Sequence, residues 1–359
     1  QDVTNRYSIE TVNTRNTPKE AVVYIAARMS NLNDQQESAS TGADGSISSD
    51  EELDQQPQNT ANESPAKMED VITIDPEATD VDLNHGRVGK IENLEPLVKL
   101  ERLYMRWNLI KKIENLDHLT TLQELELYDN QITVLENLDN LTNLEILDVS
   151  FNRVHKIQNL ESLTKLRKLF LCSNKITTIE NLNHLSNLTM LELGDNKIRK
   201  IQNIDVLTNL THLYLGKNKI NKIENLDNLV KLECLSLQSN RIVKIENLNK
   251  LVNLTELYVS ENGIETIENL DENKLLETLD VAKNRIKTIE NIDHLQNLDE
   301  LWMNDNNIAD WNCVNVLSQN KKLATVYLER NPIAKDATYR KKLKLAVPWL
   351  TKIDATLCR

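Results

Sequence analysis

Glycine is scarce in this chain, whose 359 residues include only seven glycines, seven prolines and two phenylalanines. A phosphate-binding loop needs closely spaced glycines so that backbone N–H groups can approach the phosphate, and no such cluster occurs. A HExxH motif and a nucleophile placed beside a base are also absent. His118, His184 and His294 are spaced by multiples of 22 residues, too far apart to share one metal ion. The sequence therefore predicts a protein that is not an enzyme and that holds no metal and no cofactor.

Cysteine is also rare, and the four cysteines match neither a disulfide framework nor a metal site: Cys172, Cys234, Cys313 and Cys358. Because secreted repeat proteins commonly close their ends with cysteine clusters, this pattern indicates a reducing compartment inside the cell. No apolar run approaches the roughly 18 residues of a membrane span. Residues 21–27 resemble a signal-peptide core, but the run is short and flanked by Glu20 and Arg28, so we do not interpret it as a signal.

Basic charge is missing from the N-terminal part of the chain. Residues 1–78 contain 15 acidic and 5 basic residues, so most of the net charge of −13 lies there. A chain without a basic face is poorly suited to nucleic acid, and it favours a partner of basic or mixed charge. Because these residues are also poor in apolar side chains, we predict a disordered acidic tail over residues 1–78. Residues 1–28 precede the first methionine, Met29, and are a candidate for non-native sequence.

The tail contains one candidate modification site. Ser48 and Ser49 directly precede Asp50, Glu51 and Glu52, which is the pattern that acidophilic kinases favour. We predict phosphorylation at one of these serines, which would add charge to an already acidic segment. The alternative is that this run is only a solvated acidic stretch.

What the chain has in abundance is a repeat of 22 residues. Asparagine recurs without insertion at one position of the unit LxxLxLxxNxIxxIENLxxLxxL: Asn108, Asn130, Asn152, Asn174, Asn196, Asn218, Asn240, Asn262, Asn284 and Asn306. This period is typical of the leucine-rich repeat, in which short strands stack into a curved parallel sheet. We expect these ladder asparagines to be structural and to satisfy backbone groups between coils. A second asparagine, in Ile-Glu-Asn-Leu, is expected to cap a short turn on the convex side.

The repeat defines the predicted fold as an α/β leucine-rich-repeat solenoid with a short 3₁₀ or helical convex side. A degenerate first unit and a last unit ending at Asn331 bring the total to about twelve units over residues 79–331. Residues 332–359 are predicted to be a helical cap over the open C-terminal end. In this cap Tyr339 and Leu343 share one helical face, Asp336 is the expected N-cap, and Pro348 ends the helix.

One column of the repeat points to function. The position four before each ladder asparagine should project from the concave face, because strand residues alternate. In chain order this column contains Asp82, Tyr104, Glu126, Asp148, Phe170, Glu192, Tyr214, Ser236, Tyr258, Asp280, Trp302 and Tyr327. Six of the twelve are aromatic, although the composition of 14 aromatics in 359 residues predicts fewer than one. Exposed rings among carboxylates indicate a protein-binding surface. The alternative is that a strand simply tolerates aromatic residues.

The 22-residue unit, the acidic tail and the terminal NPI…YRKKL…PWL…ID segment resemble the leucine-rich-repeat regulatory subunits of type-1 serine/threonine protein phosphatase. The resemblance implies that the concave face binds the phosphatase catalytic subunit. It also implies a ternary complex with the phosphatase inhibitor three, nuclear and cytoplasmic residence, and a role in mitosis. Tyr214 stands where that family has phenylalanine. The partner-binding residues expected from the column and from the resemblance are Asp148, Phe170, Glu192, Tyr214, Tyr258, Asp280, Glu300, Trp302 and Tyr327.

The chain lacks a short docking motif for the phosphatase. Many phosphatase regulators dock through a basic-Val-x-Phe segment, but Phe151 lacks the preceding basic residue and lies within a repeat. Binding must therefore use the folded concave face. A splicing or cytoskeletal adaptor of the same fold is the main alternative, and an extracellular recognition protein is a more distant one. Whether the phosphatase would be inhibited, stabilised or redirected does not follow from the residues.

Overall fold

The computed structural model describes residues 26–27, 70–71 and 74–358. Ser48, Ser49 and most of the predicted tail lie outside these residues. The strands are β1 Ala26–Ala27, β2 Asp70–Val71, β3 Asp80–Asp82, β4 Arg102–Tyr104, β5 Glu124–Glu126, β6 Ile146–Asp148, β7 Lys168–Phe170, β8 Met190–Glu192, β9 His212–Tyr214, β10 Cys234–Ser236, β11 Glu256–Tyr258, β12 Thr278–Asp280, β13 Glu300–Trp302, β14 Thr325–Tyr327, β15 Lys352–Ile353 and β16 Thr356–Leu357. The one α-helix of the described residues is α1, Tyr339–Ala346, and 3₁₀ helices span Trp311–Gln319 and Pro332–Lys335.

The strands β3 to β16 form one sheet of fourteen strands in chain order. From β3 to β15 neighbouring strands are parallel, and each of the twelve repeat units contributes one strand, whereas β16 is antiparallel to β15. Equivalent positions of successive units pair directly, as Leu213 pairs with Leu235. The predicted parallel-sheet solenoid is therefore confirmed, and each column of the repeat becomes a continuous row along the sheet.

The core lies between the sheet and the convex turns. In each strand only the middle residue enters it, as Leu213 does while His212 and Tyr214 face the concave side. The other apolar positions of the same coil are equally buried: Leu215, Ile220, Ile223, Leu226, Leu229 and Leu232. Burial of each such side chain stabilises the fold by about 1.5–3 kcal/mol, and a coil can bury them only against its neighbours. This explains why the same apolar positions recur from coil to coil.

The ladder asparagines connect neighbouring coils. The Asn218 side chain donates to the carbonyl oxygens of Leu193, Leu215 and Gly216 at 2.9, 3.1 and 3.1 Å. Its Oδ1 accepts the backbone N–H of Ile198 at 2.9 Å. Because Asn218 is buried, these backbone groups have no access to water as an alternative partner.

We therefore expect Asn218→Ala to lower the free energy of unfolding by about 1–3 kcal/mol, since it removes the partner of buried backbone groups. Urea denaturation followed by circular dichroism measures the change. Asn221→Ala is the matched control, because Asn221 lies on the same coil but is exposed, and it should have almost no effect. Equal losses for the two variants would contradict the ladder's structural role.

The second asparagine does not cap a short 3₁₀ or helical turn from Asn115 to Asn291, so that expectation is wrong for these units. Asn225 has a φ of 60°, and its side chain donates to the carbonyl oxygen of Ile201 in the preceding coil at 2.6 Å. Asparagine tolerates this left-handed backbone better than most residues, so it can occupy a turn position where glycine is common. The convex side consists of turns through most units, and a 3₁₀ helix, Trp311–Gln319, occurs only where the repeat lengthens to 25 residues.

The C-terminal segment covers the last coil. Tyr339 and Leu343 of α1 are buried, and the Tyr339 hydroxyl donates to Asp354 Oδ1 at 3.1 Å. The same Asp354 oxygen accepts the backbone N–H groups of Leu328 and Glu329, both at 3.0 Å. The expected N-cap is corrected: Thr338 occupies the cap position of α1, and Asp336 instead accepts the Thr338 backbone N–H at 2.7 Å.

Two residues of the predicted tail lie against the solenoid. Ile74 and Ala78 pack against the hydrophobic core. Ahead of them, β1 and β2 form a separate antiparallel pair, Ala26 with Val71 and Ala27 with Asp70. In residues 74–358 and the two short strands, no helix has the length and apolarity needed to cross a membrane.

Candidate functional site

The candidate site is the concave face of the sheet. The twelve residues of the predicted column lie there, because the middle residue of each strand points the opposite way into the core. They are less open to water than the sequence suggested. Glu126, Asp148, Ser236 and Asp280 are 9% exposed or less, because larger neighbours on adjacent strands cover these shorter side chains. The face is therefore a packed layer of rings and partly covered carboxylates.

At the C-terminal end of this face, Glu300, Trp302 and Tyr327 form a cluster. The indole Nε1 of Trp302 donates to Glu300 Oε2 at 3.1 Å, and its ring meets that of Tyr327 edge to face at 5.6 Å between centroids. On the far side, the Lys352 ammonium lies 5.2 Å from the Tyr327 ring. Neighbouring contacts thus hold the indole in place before any partner arrives, which lowers the entropy lost on binding.

The centre of the face contains Tyr214, Tyr258 and Asp280. The Tyr258 hydroxyl donates to Glu256 Oε2 at 3.0 Å. Asp280 accepts hydrogen bonds from the Ser260 hydroxyl at 2.6 Å and from the Ala282 backbone N–H at 3.0 Å. Burial raises the pKa of the Asp280 carboxyl in spite of these bonds. Asp280 is therefore buried in the sheet surface, whereas the rings of Tyr214 and Tyr258 are half-buried and reach the concave surface.

At the N-terminal end, the face deepens into a hollow of about 460 Å³. Four carboxylates and two cations line it, and aromatic residues border it. The carboxylates are Glu124, Glu126, Asp148 and Glu192, the cations are Arg106 and Lys168, and the aromatic residues are Tyr128, Phe151 and Phe170. Burial raises the pKa of Asp148 and of Glu192, because water is partly excluded from both carboxylates. The structure thus brings Asp148, Phe170 and Glu192 together, and it adds Glu126, which was not among the expected partner-binding residues.

Glu126 is the most perturbed carboxylate of the hollow. Burial raises its pKa to about 7 from an ordinary value of 4.5, although the ion pair with Arg106 opposes that shift. The folded state therefore binds the proton more tightly than the unfolded state does. Above pH 7 the buried charge costs stability, and this cost disappears as the pH falls through 7 towards 4.5.

We expect the melting temperature to rise as the pH is lowered from 8 to 5.5, and Glu126→Gln to flatten this dependence. One such carboxyl group changes the free energy of unfolding by at most about 1.4 kcal/mol per pH unit. Ion-paired carboxylates such as Asp80 and Asp305 have lowered pKa values, so their stabilisation is lost only below about pH 4 and does not offset the rise. Thermal melts at several pH values test this. The control Glu233→Gln, at an exposed position, should keep the original slope.

A row of rings runs along the rim of the hollow. His85 stacks on Trp107 at 4.3 Å, Trp107 meets Tyr128 at 5.5 Å, and Tyr128 meets Phe151 at 4.8 Å between centroids. Trp107 and Phe151 remain 41% and 45% exposed. These rings stand outside the column that the sequence singles out, because Trp107 and Phe151 directly precede ladder asparagines and Tyr128 stands two residues before one. Trp107 and Phe151 also have positive φ values of 54°, so rigid turns hold their rings outward.

These side chains supply apolar contact and negative charge. Within residues 74–358, no group of three His, Cys, Asp or Glu side chains is arranged to hold a metal ion. Preformed rings beside carboxylates are what recognition of a folded protein requires: the rings give buried contact and the charges give orientation. The concave face therefore has the chemistry of a protein-binding surface.

Comparison with known proteins shows the repeat family and the fold. A family model described as "Leucine Rich repeats (2 copies)" matches residues 120–162, 142–184, 164–205, 186–229, 230–272 and 274–315, which together make up more than half of the chain. An internalin of Listeria monocytogenes has a similar structure, with a TM-score of 0.63 and 26% identity over 82% of this chain and 92% of its own. A leucine-rich-repeat protein of Leptospira interrogans, 24% identical, superposes with a TM-score of 0.66 over 73% of this chain and 74% of its own, and shows the fold alone.

Curated relatives match a shorter stretch. Protein phosphatase 1 regulatory subunit 7 of Danio rerio is 56% identical over 57 residues, 16% of this chain and 16% of that protein. The subunit of the same name from Homo sapiens is 55% identical over 52 residues, 14% of each chain. The match thus spans about one-sixth of the length of these relatives.

Proposed function

This chain belongs to the leucine-rich repeat proteins, and we propose that it is a non-catalytic regulatory subunit that binds the catalytic subunit of a type-1 protein phosphatase on its concave face. A repeat fold with curated relatives named as regulatory subunits supports a protein-interaction role. The phosphatase as partner is the further step, and it is supported by the chemistry of the concave face.

The observation that carries the proposal is the column of rings and carboxylates in register on twelve parallel strands. Every residue expected to contact the phosphatase lies on this one face: Asp148, Phe170, Glu192, Tyr214, Tyr258, Asp280, Glu300, Trp302 and Tyr327. The face spans roughly 50 Å along the sheet at about 4.8 Å per strand, which suits a folded domain rather than a short peptide. Its acidic character favours a partner whose contacting surface is basic around an apolar centre.

The two ends of the face offer different contacts. The Trp302 and Tyr327 rings supply an apolar anchor, whereas the hollow around Asp148 and Glu192 supplies carboxylates that a cationic side chain of the partner would neutralise. Desolvating those carboxylates further without a cation would be costly, so the hollow also rejects uncharged or acidic partners. The phosphatase inhibitor three is the proposed additional member of a ternary complex, and residence in nucleus and cytoplasm accompanies this role.

The test is binding of purified type-1 phosphatase catalytic subunit by the full chain, measured by biolayer interferometry. Phe170→Ala together with Glu192→Gln should weaken binding at least tenfold, because the first substitution removes a ring and the second removes a charge from the concave face. The matched pair Lys111→Ala and Lys287→Ala, at exposed positions, should leave affinity unchanged. Phosphatase activity measured on p-nitrophenyl phosphate with and without the protein then shows whether binding inhibits the enzyme.

A pull-down from cell extract with the intact protein and the Phe170/Glu192 variant distinguishes the alternative. Recovery of the phosphatase by the intact protein alone supports the proposal. Recovery of splicing or cytoskeletal proteins in a concave-dependent manner, with no phosphatase binding in the purified system, would replace it with the adaptor function.

A further inference from the structure

The C-terminal cap carries charge of the opposite sign to the rest of the chain. Residues 332–359 contain only two acidic residues, Asp336 and Asp354, in a protein whose net charge is −13. The cations of the same segment are Lys335, Arg340, Lys341, Lys342, Lys344, Lys352 and Arg359. This reversal occurs at the far end of the solenoid, and of these cations only Lys352 lies against the concave column, at the Tyr327 ring.

Part of this basic surface is a groove. Helix α1 and the hairpin of β15 and β16 border a hollow of about 570 Å³, lined on its apolar side by Leu345, Ile353 and Leu357. Leu345 and Leu357 are each 71% exposed, more than any other large apolar side chain of residues 74–358. The opposite face of α1 already buries Tyr339 and Leu343, so the cap does not need these two leucines for its own packing. Exposed leucines beside a groove mark an interaction surface.

The cations beside the groove are ordered but not neutralised. Arg340 donates to the carbonyl oxygens of Ile353 and Thr356 at 2.7 and 3.2 Å, and Lys344 donates to that of Leu350 at 2.6 Å. These partners are neutral, and in the described part of the chain no carboxylate lies within ion-pair distance of Arg340, Lys341 or Lys344. The groove therefore keeps a net positive charge.

The groove lies beside the last strand of the sheet. Strand β16 is the last of the fourteen strands, and both Thr356 and Leu357 are exposed. Their carbonyl oxygens accept hydrogen bonds from Arg340 at 3.2 and 3.3 Å, so Arg340 holds the hairpin against α1. A segment that lies in the hollow would pass Leu345 and Leu357.

We propose that this groove binds an acidic segment of a partner protein that carries an aliphatic side chain. The leucines receive the aliphatic side chain, and Arg340, Lys341 and Lys344 attract the flanking carboxylates. A nucleic acid or an anionic membrane shares the charge but offers no side chain sized for the hollow. The concave face is acidic and would repel the same segment, so the two surfaces select different partners.

The experiment measures fluorescence anisotropy of a fluorescein-labelled nonapeptide in which glutamate alternates with leucine, titrated with the full chain. We expect saturable binding that weakens at least tenfold in Leu345→Ser and in Lys341→Glu. The matched controls are Val243→Ser, a 63% exposed apolar position on a distant coil, and Lys111→Glu, and both should bind as the unaltered chain does. Unchanged thermal melts show that the cap variants remain folded.

Three results would overturn the proposal. The first is absence of peptide binding, or binding that the cap variants do not change. The second is tighter binding of a DNA duplex or of phosphatidylserine vesicles with the same sensitivity to Lys341→Glu. The third is tighter peptide binding by a full chain carrying Asp50→Asn, Glu51→Gln and Glu52→Gln, because it would identify the chain's own acidic segment as the occupant. A peptide with lysine in place of glutamate should not bind.

Discussion

Replacement of Trp302 by alanine should weaken binding of the type-1 phosphatase catalytic subunit by about 30-fold or more, which corresponds to about 2 kcal/mol. The indole is the largest ring of the concave column, and Glu300 and Tyr327 hold it in position before binding. A partner surface that covers it gains apolar burial without ordering a mobile side chain. The substitution removes that burial, and it also frees the Glu300 carboxylate from its indole partner.

The stability of the free protein should change much less, because Trp302 lies outside the leucine core and is only half-buried. Trp302→Phe provides a graded comparison, since it retains a ring against Tyr327 but loses the bond to Glu300. Glu300→Lys should weaken binding with an altered dependence on salt, because it reverses a charge instead of removing a ring. A folded Trp302→Ala protein that binds the phosphatase with unaltered affinity would exclude this end of the face from the contact.

Replacement of Tyr339 by aspartate should unfold the C-terminal end of the solenoid. The change places a carboxylate in a site that is 8% exposed, opposite Asp354, which already accepts the Leu328 and Glu329 N–H groups. Burying an unpaired charge costs about 3–5 kcal/mol, and repulsion between the two carboxylates adds to it. Because each coil is stabilised mainly by its neighbours, loss of the cap should propagate into the last units before the rest of the chain.

Hydrogen exchange with mass spectrometry measures this directly. Backbone amides of β13 and β14 should lose protection in Tyr339→Asp, while those of β5 to β8 keep it. Tyr339→Phe is the control, because it removes only the hydroxyl bond to Asp354 and should cost about 1 kcal/mol. Full protection of β14 in the aspartate variant, or in a chain ending at Asn331, would show that the last coil is stable without this cover.

The fold was accessible from the sequence because its 22-residue period holds without interruption from Asn108 to Asn306. The ladder asparagine determines which residue of each strand enters the core, so the sequence alone assigns Leu213 and Tyr214 to opposite faces. The convex side was less predictable. An Ile-Glu-Asn-Leu motif is compatible with a helix cap or with a left-handed turn, and only the contact of Asn225 with Ile201 in the preceding coil decides between them.

The candidate site was also only partly predictable from the sequence. The 22-residue period shows which residues belong to the concave column. The burial of each of these residues depends on the side chains 22 positions before and after it, and on the size of those side chains. The sequence predicted exposed carboxylates, whereas packing across strands buried Glu126, Asp148 and Asp280 and raised the pKa of each. Arg106 became a functional neighbour of Glu126 only through that packing.

By itself, then, the sequence determined the solenoid, its register and the face on which the rings lie, because a strict 22-residue period leaves one way to bury the leucines. The tertiary structure alone decided the depth of the acidic hollow, the stacking of His85 on Trp107 and the basic groove of the cap. These features arise from side chains that are distant in the chain and adjacent in space. Their burial and electrostatics are set by neighbours that no local pattern specifies.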